Sequence, residues 1–429
     1  MRLLFVGHTH HLKTHSCDFF VDILARFASI VKIYITPESL SDAALLDSLD
    51  FSSFDAVVLW QVDFLSAFFL SRGCCTICVP MLDASIGMPA AHWRSMSGAL
   101  VISFSRGVHV LAKANGLDSI FVRYFPEIIP ADSCASLAID NTVSLFFWER
   151  NPASVLNSFK IVRCFSGLVD RIHVHQAPDR PTNKVSSRVE LQRISRGAHL
   201  SFSSWFQNKE LLDQCLANCQ IFVAPRLIEG IGMSFLGPMA AGCIVVAHKS
   251  GTHSDYLIHG RNGYLLDFEG DPDLSGIDLT RPSLSKMASR LRVDSQRFAD
   301  AWSDHYRPSV QAAICAYVDR FSCSGSRFVL PFPSIYCFAA HLDVSIYILM
   351  LESSRREGSF PAGRGRRTAL ARALDLLEVY GEDSLHFIKD MIYRPIVSDT
   401  LSEKSSLSDL VLRLDWQKKP GSLDFSEDA

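Results

Sequence analysis

The chain has 429 residues, 48% of them hydrophobic and 20% charged, with a formal charge of −3. That length predicts two or three domains with real cores, and the composition excludes a disordered chain. The near-neutral balance excludes a general nucleic-acid binder, which needs a strongly basic face.

The opening run Met1-Arg2-Leu3-Leu4-Phe5-Val6-Gly7 is too short an apolar stretch for a signal peptide. It reads as a first buried strand, and the expected location is the cytoplasm. Further strand patterns are predicted at Ile30–Ile35, Ala56–Leu59, Thr76–Val79, Leu100–Phe104 and Ile120–Tyr124. Helical spacing lies between them, as in Phe20, Ile23, Leu24 and Phe27. Continuous apolar strands separated by amphipathic helices predict a parallel sheet covered on both faces. The 12 cysteines show no second CxxC or Cys/His pair at zinc-finger spacing, and Cys74-Cys75-x-x-Cys78 falls in an apolar run. Buried free thiols in a reducing compartment are the reading they support.

A segment with linker composition follows the first unit, rich in Pro, Asp and Ser. A second alternating unit begins at Thr142–Trp148. It continues through a helix carrying Val155, Phe159 and Val162, a strand at Ile172–His175, a polar loop at Pro178–Asn183 and a helix at Lys209–Asn218. Next comes the most informative run, Ile221 to Phe268. It reads strand, polar loop ending in Glu229-Gly230-Ile231-Gly232, helix with Met233, Leu236, Met239 and Ala240, then strand Ile244–Ala247 and two glycine turns. That order sets exposed backbone N–H groups at a helix N-terminus, where an anion is stabilised. After Arg281-Pro282 the pattern is helical, ending with Val310, Ile314, Tyr317 and Phe321 on one face.

Pro225…Glu229-Gly230-x-Gly232, Met239-Ala240-Ala241-Gly242, Val245-Val246-Ala247 and Gly260-x-Asn262-Gly263 form a long ordered pattern. It closely resembles the nucleotide-sugar-binding segment of the group 1 glycosyltransferases. The resemblance implies the α/β GT-B fold, two Rossmann-like domains whose parallel sheets face an interdomain cleft. On that reading residues 1–128 form the acceptor-side domain, 129–140 a linker and 141–305 the nucleotide-sugar domain. Residues 306–325 form a terminal helix packing back towards the first domain, and 326–429 a mainly helical extension with a frayed tail. The family usually has a second glutamate, which binds the ribose, eight residues after the first; here that position is Gly237.

The candidate chemistry follows. Glu229 is a fixed acceptor that can take paired hydrogen bonds from sugar hydroxyls, and in the family this glutamate contacts the donor sugar. The alternative is a helix-capping carboxylate, compatible with the first role. The backbone N–H groups of Gly230, Ile231, Gly232 and Met233 are expected around the diphosphate. Arg150 ends an apolar strand, where ligands gather in parallel sheets, and the resemblance pairs it with the diphosphate. A lysine usually follows a few residues later; here the nearest is Lys160. Arg226, just ahead of the loop, is a second donor-side cation.

His8, His10 and His11 are expected to line the cleft from the acceptor side. No Asp, Glu or Cys joins them at metal-ligand spacing. Asp83 and His92 are candidates for a general base near the acceptor hydroxyl, each with a capping or core role as the alternative. Asp271-Pro272-Asp273 reads as a structural turn rather than a metal site. No cofactor or metal is expected beyond the nucleotide sugar as substrate.

The expected activity is sugar transfer from a nucleotide-diphosphate donor to a glycan or lipid-linked acceptor, with retention and without metal, in cell-surface polysaccharide or glycoconjugate synthesis. Alternatives are a non-catalytic subunit with a degenerate donor site, or a nucleotide-sugar epimerase. The stretch Phe328–Leu351 is interrupted by Pro331, Pro333, His341 and Asp343, so a membrane span is not expected. The basic residues Arg355 to Arg367 read as a solvated linker, with peripheral contact to anionic lipid left open. The sequence is silent on oligomeric state.

Overall fold

The computed structural model describes residues 1–323 apart from 37–44, 47, 87, 89, 130–141, 180–185, 206–210, 213, 214, 217 and 250. The expectations for 326–429, most of 129–140 and much of Lys209–Asn218 fall outside the described residues. Uninterrupted apolar runs such as Leu3-Leu4-Phe5-Val6 and Ala56-Val57-Val58-Leu59-Trp60 are buried throughout, which only a strand covered on both faces allows.

The first sheet comprises β1 (Arg2–His8), β2 (Ser29–Ile35), β3 (Ala56–Trp60), β4 (Thr76–Val79), β5 (Leu100–Ser103) and β6 (Asp118–Phe121). Their order is β2-β1-β3-β4-β5-β6, with every pair parallel. The second comprises β7 (Ser144–Trp148), β8 (Arg171–His175), β9 (His199–Ser203), β10 (Ile221–Val223), β11 (Ile244–His248) and β12 (Gly263–Leu266). Their order is β12-β11-β10-β7-β8-β9, again all parallel. The chain leaves β7 towards β8 and β9, then returns to place β10 on its other side. The loops after β7 and β10 therefore diverge at a topological switch point, where open α/β sheets bind ligands. In the first sheet the switch lies between β1 and β3, beneath the loop that begins at His8.

β9 is an edge strand that the apolar pattern does not announce. Its Ser201 and Ser203 hydroxyls pair with the His173 and His175 rings of β8 at 2.7–2.9 Å, so polar cross-strand pairs hold it.

The two sheets are joined by specific contacts. The buried Tyr256 hydroxyl donates to the Tyr124 carbonyl at 2.6 Å. Asp255 accepts the Arg106 backbone N–H at 3.0 Å, at the first residue of helix Arg106–Ala114. The helix Arg281–Ala301 continues through a wide turn, Trp302–Tyr306, into helix Arg307–Cys323. Tyr317 donates to the Gly98 carbonyl and Arg320 pairs with Asp118 at 3.0 Å, so this last helix lies on the first sheet's domain. Trp302 packs edge-on against Tyr124, with ring centroids 5.1 Å apart.

Candidate functional site

At the switch point of the second sheet, one carboxylate holds two guanidinium groups. Arg150 lies two residues past β7, with its guanidinium carbon 4.8 Å from the Trp148 ring centroid. Its Nε donates to Asp179 Oδ1 at 2.8 Å, and the Asp179 N–H donates back to the Arg150 carbonyl at 3.0 Å. Arg226, past β10, donates from Nη2 to Asp179 Oδ2 at 2.6 Å. From Nη1 it donates to Asp83 Oδ2 at 2.9 Å, across the cleft to the short helix Leu82–Ser85 that follows β4. The four side chains are 18–32% exposed, so they face the cleft without being fully solvated. Burial opposes the charge on Asp179, but Arg150 and Arg226 hold its carboxyl below the ordinary range. Burial raises the Asp83 carboxyl, an effect that Arg226 partly offsets.

The glycine loop lies beside this cluster. Glu229 is 4% exposed, and its Oε1 accepts the Ser234 hydroxyl at 2.5 Å. The Thr252 hydroxyl reaches the carbonyls of Glu229 and Gly230 at 2.7 and 2.9 Å, which fixes the loop from beneath. A Cβ at Gly230 would lie 2.9 Å from Asp83 Oδ1 and 3.0 Å from Met81 Cβ. Only a glycine lets the two domains approach there. Gly232 has φ +93° and caps helix Met233–Ala240 with no side-chain cap bond. Ile231 is buried, and Met233, half-buried, opens the helix. The helix N-terminus, with its partial positive charge, thus meets the cleft beside two arginines and a buried carboxylate.

On the opposite wall the imidazoles divide. His8 and His10 share an Nδ1···Nδ1 contact of 2.9 Å. His10 is held down to about 4, by burial first, then by His8 and by Arg226 across the cleft. His11 departs from the expectation of a cleft-lining residue. It is 3% exposed, with Nδ1 2.7 Å from Ser16 Oγ and its ring edge-on to Trp60. His92 is also turned inward, its Nε2 2.7 Å from Asp63 Oδ2 with both side chains under 10% exposed. The structure therefore brings Asp83, Arg150 and Arg226 together, sets His10 beside them, and leaves His11 and His92 in buried pairs.

Residues 189–276 match the family described as glycosyl transferases group 1. The matched stretch takes in β9 to β12 and the glycine loop, so the second sheet's domain is similar to that family there. No curated protein matches the chain in sequence. Among solved structures, the chain is similar to Anabaena HepE in complex with UDP and glucose, at 15% identity and a TM-score of 0.53, covering 76% of this chain and 99% of that one. It is similar to the lipopolysaccharide outer core galactosyltransferase WaaB in its apo form, at 16% identity and a TM-score of 0.51, covering 74% and 99%. Sucrose-phosphate synthase from Thermosynechococcus elongatus gives 10% identity and a TM-score of 0.55, covering 76% and 100%. These likenesses establish the GT-B fold.

Against the group 1 pattern, three features stand out. Lys160 is engaged elsewhere, its Nζ bonded to the carbonyls of Phe268 and Gly270 at 2.7 and 2.6 Å. The second cation beside Arg150 is Arg226, delivered from another loop. Gly237, at the second-glutamate position, sits in helix Met233–Ala240 directly before Pro238, and a Cβ there would meet no neighbouring atom within 4 Å. A residue before proline is driven out of the helical region by its own Cβ, so glycine is the residue that tolerates Pro238 in this helix. Asp271 pairs with Arg163 of helix Ser158–Phe165, and Asp273 accepts the Ser275 N–H at 2.9 Å within the turn.

Sequence reasoning missed Asp179, Ser234 and Glu149. Asp179 and Ser234 are single polar residues that no motif marks. Glu149 is 1% exposed and accepts the Ser158 N–H at 3.0 Å and the Ser186 hydroxyl at 2.5 Å. Its position at the polar end of an apolar strand was the available signal.

Proposed function

We propose that this protein transfers a sugar from a nucleotide-diphosphate donor to a glycan or lipid-linked acceptor, without a metal ion and with retention at the anomeric carbon. The carrying observation is the convergence of Arg150, Arg226 and the uncapped helix N-terminus at the switch point, beside the buried Glu229. Two guanidinium forks and a helix N-terminus supply the positive charge that a departing diphosphate requires. Glu229, poised against Ser234, is the acceptor for donor-sugar hydroxyls. The proposal of retention rests on the group 1 resemblance.

Thermal unfolding of the full chain with UDP, GDP and dTDP tests the donor site. At 100 times Kd a ligand stabilises by about 2.7 kcal/mol. Transfer in excess EDTA, beside the same reaction with manganese, tests metal independence. Loss in EDTA with rescue by manganese overturns that part. The second reading, a non-catalytic binding module, draws on Gly237 alone; nucleotide binding with no transfer to any glycan acceptor would favour it.

A further inference from the structure

The cluster at the cleft contains its own anions. Arg150 and Arg226 are matched by Asp179 and Asp83, and the nearby carboxylate of Glu229 acts on both Arg226 and Asp83. Among the described residues, two cations against two carboxylates leave no formal surplus of positive charge for a diphosphate. Both Nη nitrogens of the Arg226 fork already donate, one to each carboxylate. A fork that fits a carboxylate also fits a phosphate, because the two present similar pairs of acceptor oxygens.

Asp83 is the weaker partner. Its Oδ2 has Arg226, whereas Oδ1 is buried against Gly230 and has no hydrogen-bond partner among the described residues. The Arg226–Asp83 pair is 32% and 20% exposed, and partly exposed pairs contribute little net stability, so its guanidinium is open to exchange.

Building on the proposed donor site, we infer that Asp83 and Asp179 are the resident counter-anions of a two-arginine clamp. A diphosphate binds by exchanging for them on Arg226 and Arg150, which frees the Asp83 carboxylate into the acceptor side of the cleft. Asp179 keeps both guanidinium groups at one point until the exchange. Asp83 belongs to the first domain and Arg226 to the second, so donor binding breaks a bridge between them. Asp83 then reaches an acceptor hydroxyl only after the donor is seated.

The sign of one measurement separates a counter-anion from a structural strut. Isothermal titration of the full chain with inorganic pyrophosphate, and separately with UDP, compares the wild type with Asp83→Asn, Asp179→Asn and Arg226→Gln. Removing a competing anion is expected to tighten pyrophosphate roughly 5- to 10-fold in each Asn variant, since one unit charge at this partly exposed distance is worth a kcal/mol or more. Arg226→Gln is expected to weaken it at least about tenfold. Asp83→Ser, which cannot imitate the carboxylate plane, repeats the first test should the Asn variant fold poorly. Folded variants with equal or weaker binding than wild type overturn the inference and leave the donor site standing. A wild type that binds neither pyrophosphate nor any nucleoside diphosphate overturns both.

Discussion

Two helices of equal length start at the same switch point of the second sheet, and their N-termini are treated in opposite ways. Helix Ser158–Phe165 follows β7, and its N-terminus is filled from within. Glu149 accepts the Ser158 N–H at 3.0 Å and Asn157 accepts the Lys160 N–H at 3.0 Å. Helix Met233–Ala240 follows β10 and begins at Gly232 with no side-chain cap bond. Glu229, the nearest carboxylate, turns to the Ser234 hydroxyl. Both ends offer the same backbone donors and the same partial charge. The first uses its carboxylate for stability; at the second, the proposed donor site leaves the helix donors to a ligand. An acidic residue at a strand end is therefore not by itself a catalytic signal; what it bonds decides its role.

The open end is where the largest effects are expected. Glu229→Ala is predicted to lower kcat/KM by roughly 2–4 kcal/mol, about 30- to 800-fold, with the unfolding midpoint nearly unchanged. Arg150→Ala is predicted to lower it at least about 100-fold, and Arg150→Lys to recover only part, since an ammonium lacks the planar fork. Steady-state kinetics on both variants check this. Retention of most activity in Glu229→Ala would remove that residue from the site.

At the filled end the same chemistry is expected to act on stability. Glu149→Ala leaves the Ser158 N–H and the Ser186 hydroxyl without their buried acceptor. A loss of about 2 kcal/mol in urea unfolding follows. A variant as stable as wild type would show that water replaces the carboxylate, and the contrast between the two ends would fail.

Buried imidazoles sharpen the comparison through pH. Burial is the first cause that holds His11 down to about 3 and His175 down to about 4. Both must therefore be neutral in the folded chain where an unfolded histidine, near 6.5, takes a proton. Below that value the unfolded state binds more protons, so stability falls as pH drops from 6.5 and stops falling only below the folded values. Between pH 7 and pH 5 each is expected to cost roughly 1–2 kcal/mol. His11→Gln, measured by urea midpoint at both pH values, is expected to flatten part of that slope.

The smallest effect concerns the departure from the family pattern. Gly237→Glu combined with Pro238→Ala removes the proline constraint and adds the carboxylate. UDP affinity is expected to rise about tenfold, near 1.4 kcal/mol. Calorimetry that finds no gain would mean the ribose is held from elsewhere.

The sequence by itself determined the strands of the first sheet, most of those of the second, their parallel pairing and the glycine loop. Those features are local: an apolar run makes a buried strand, and Gly232 is required by a positive φ at a helix start. It lost β9, whose alternate positions His199, Ser201 and Ser203 are polar and whose pairing comes from neighbouring histidines. Residue type placed Arg150, Arg226 and Glu229 at the candidate site, yet it also suggested His11 and His92, which are turned inward to Ser16 and Asp63. Tertiary structure alone decided the charge cluster. Asp179 is 29 residues from Arg150 and 47 from Arg226, and Asp83 is 143 from Arg226. Pairing between charges has no period along the chain. It is set by where strand ends converge, and that convergence exists only once both sheets have formed.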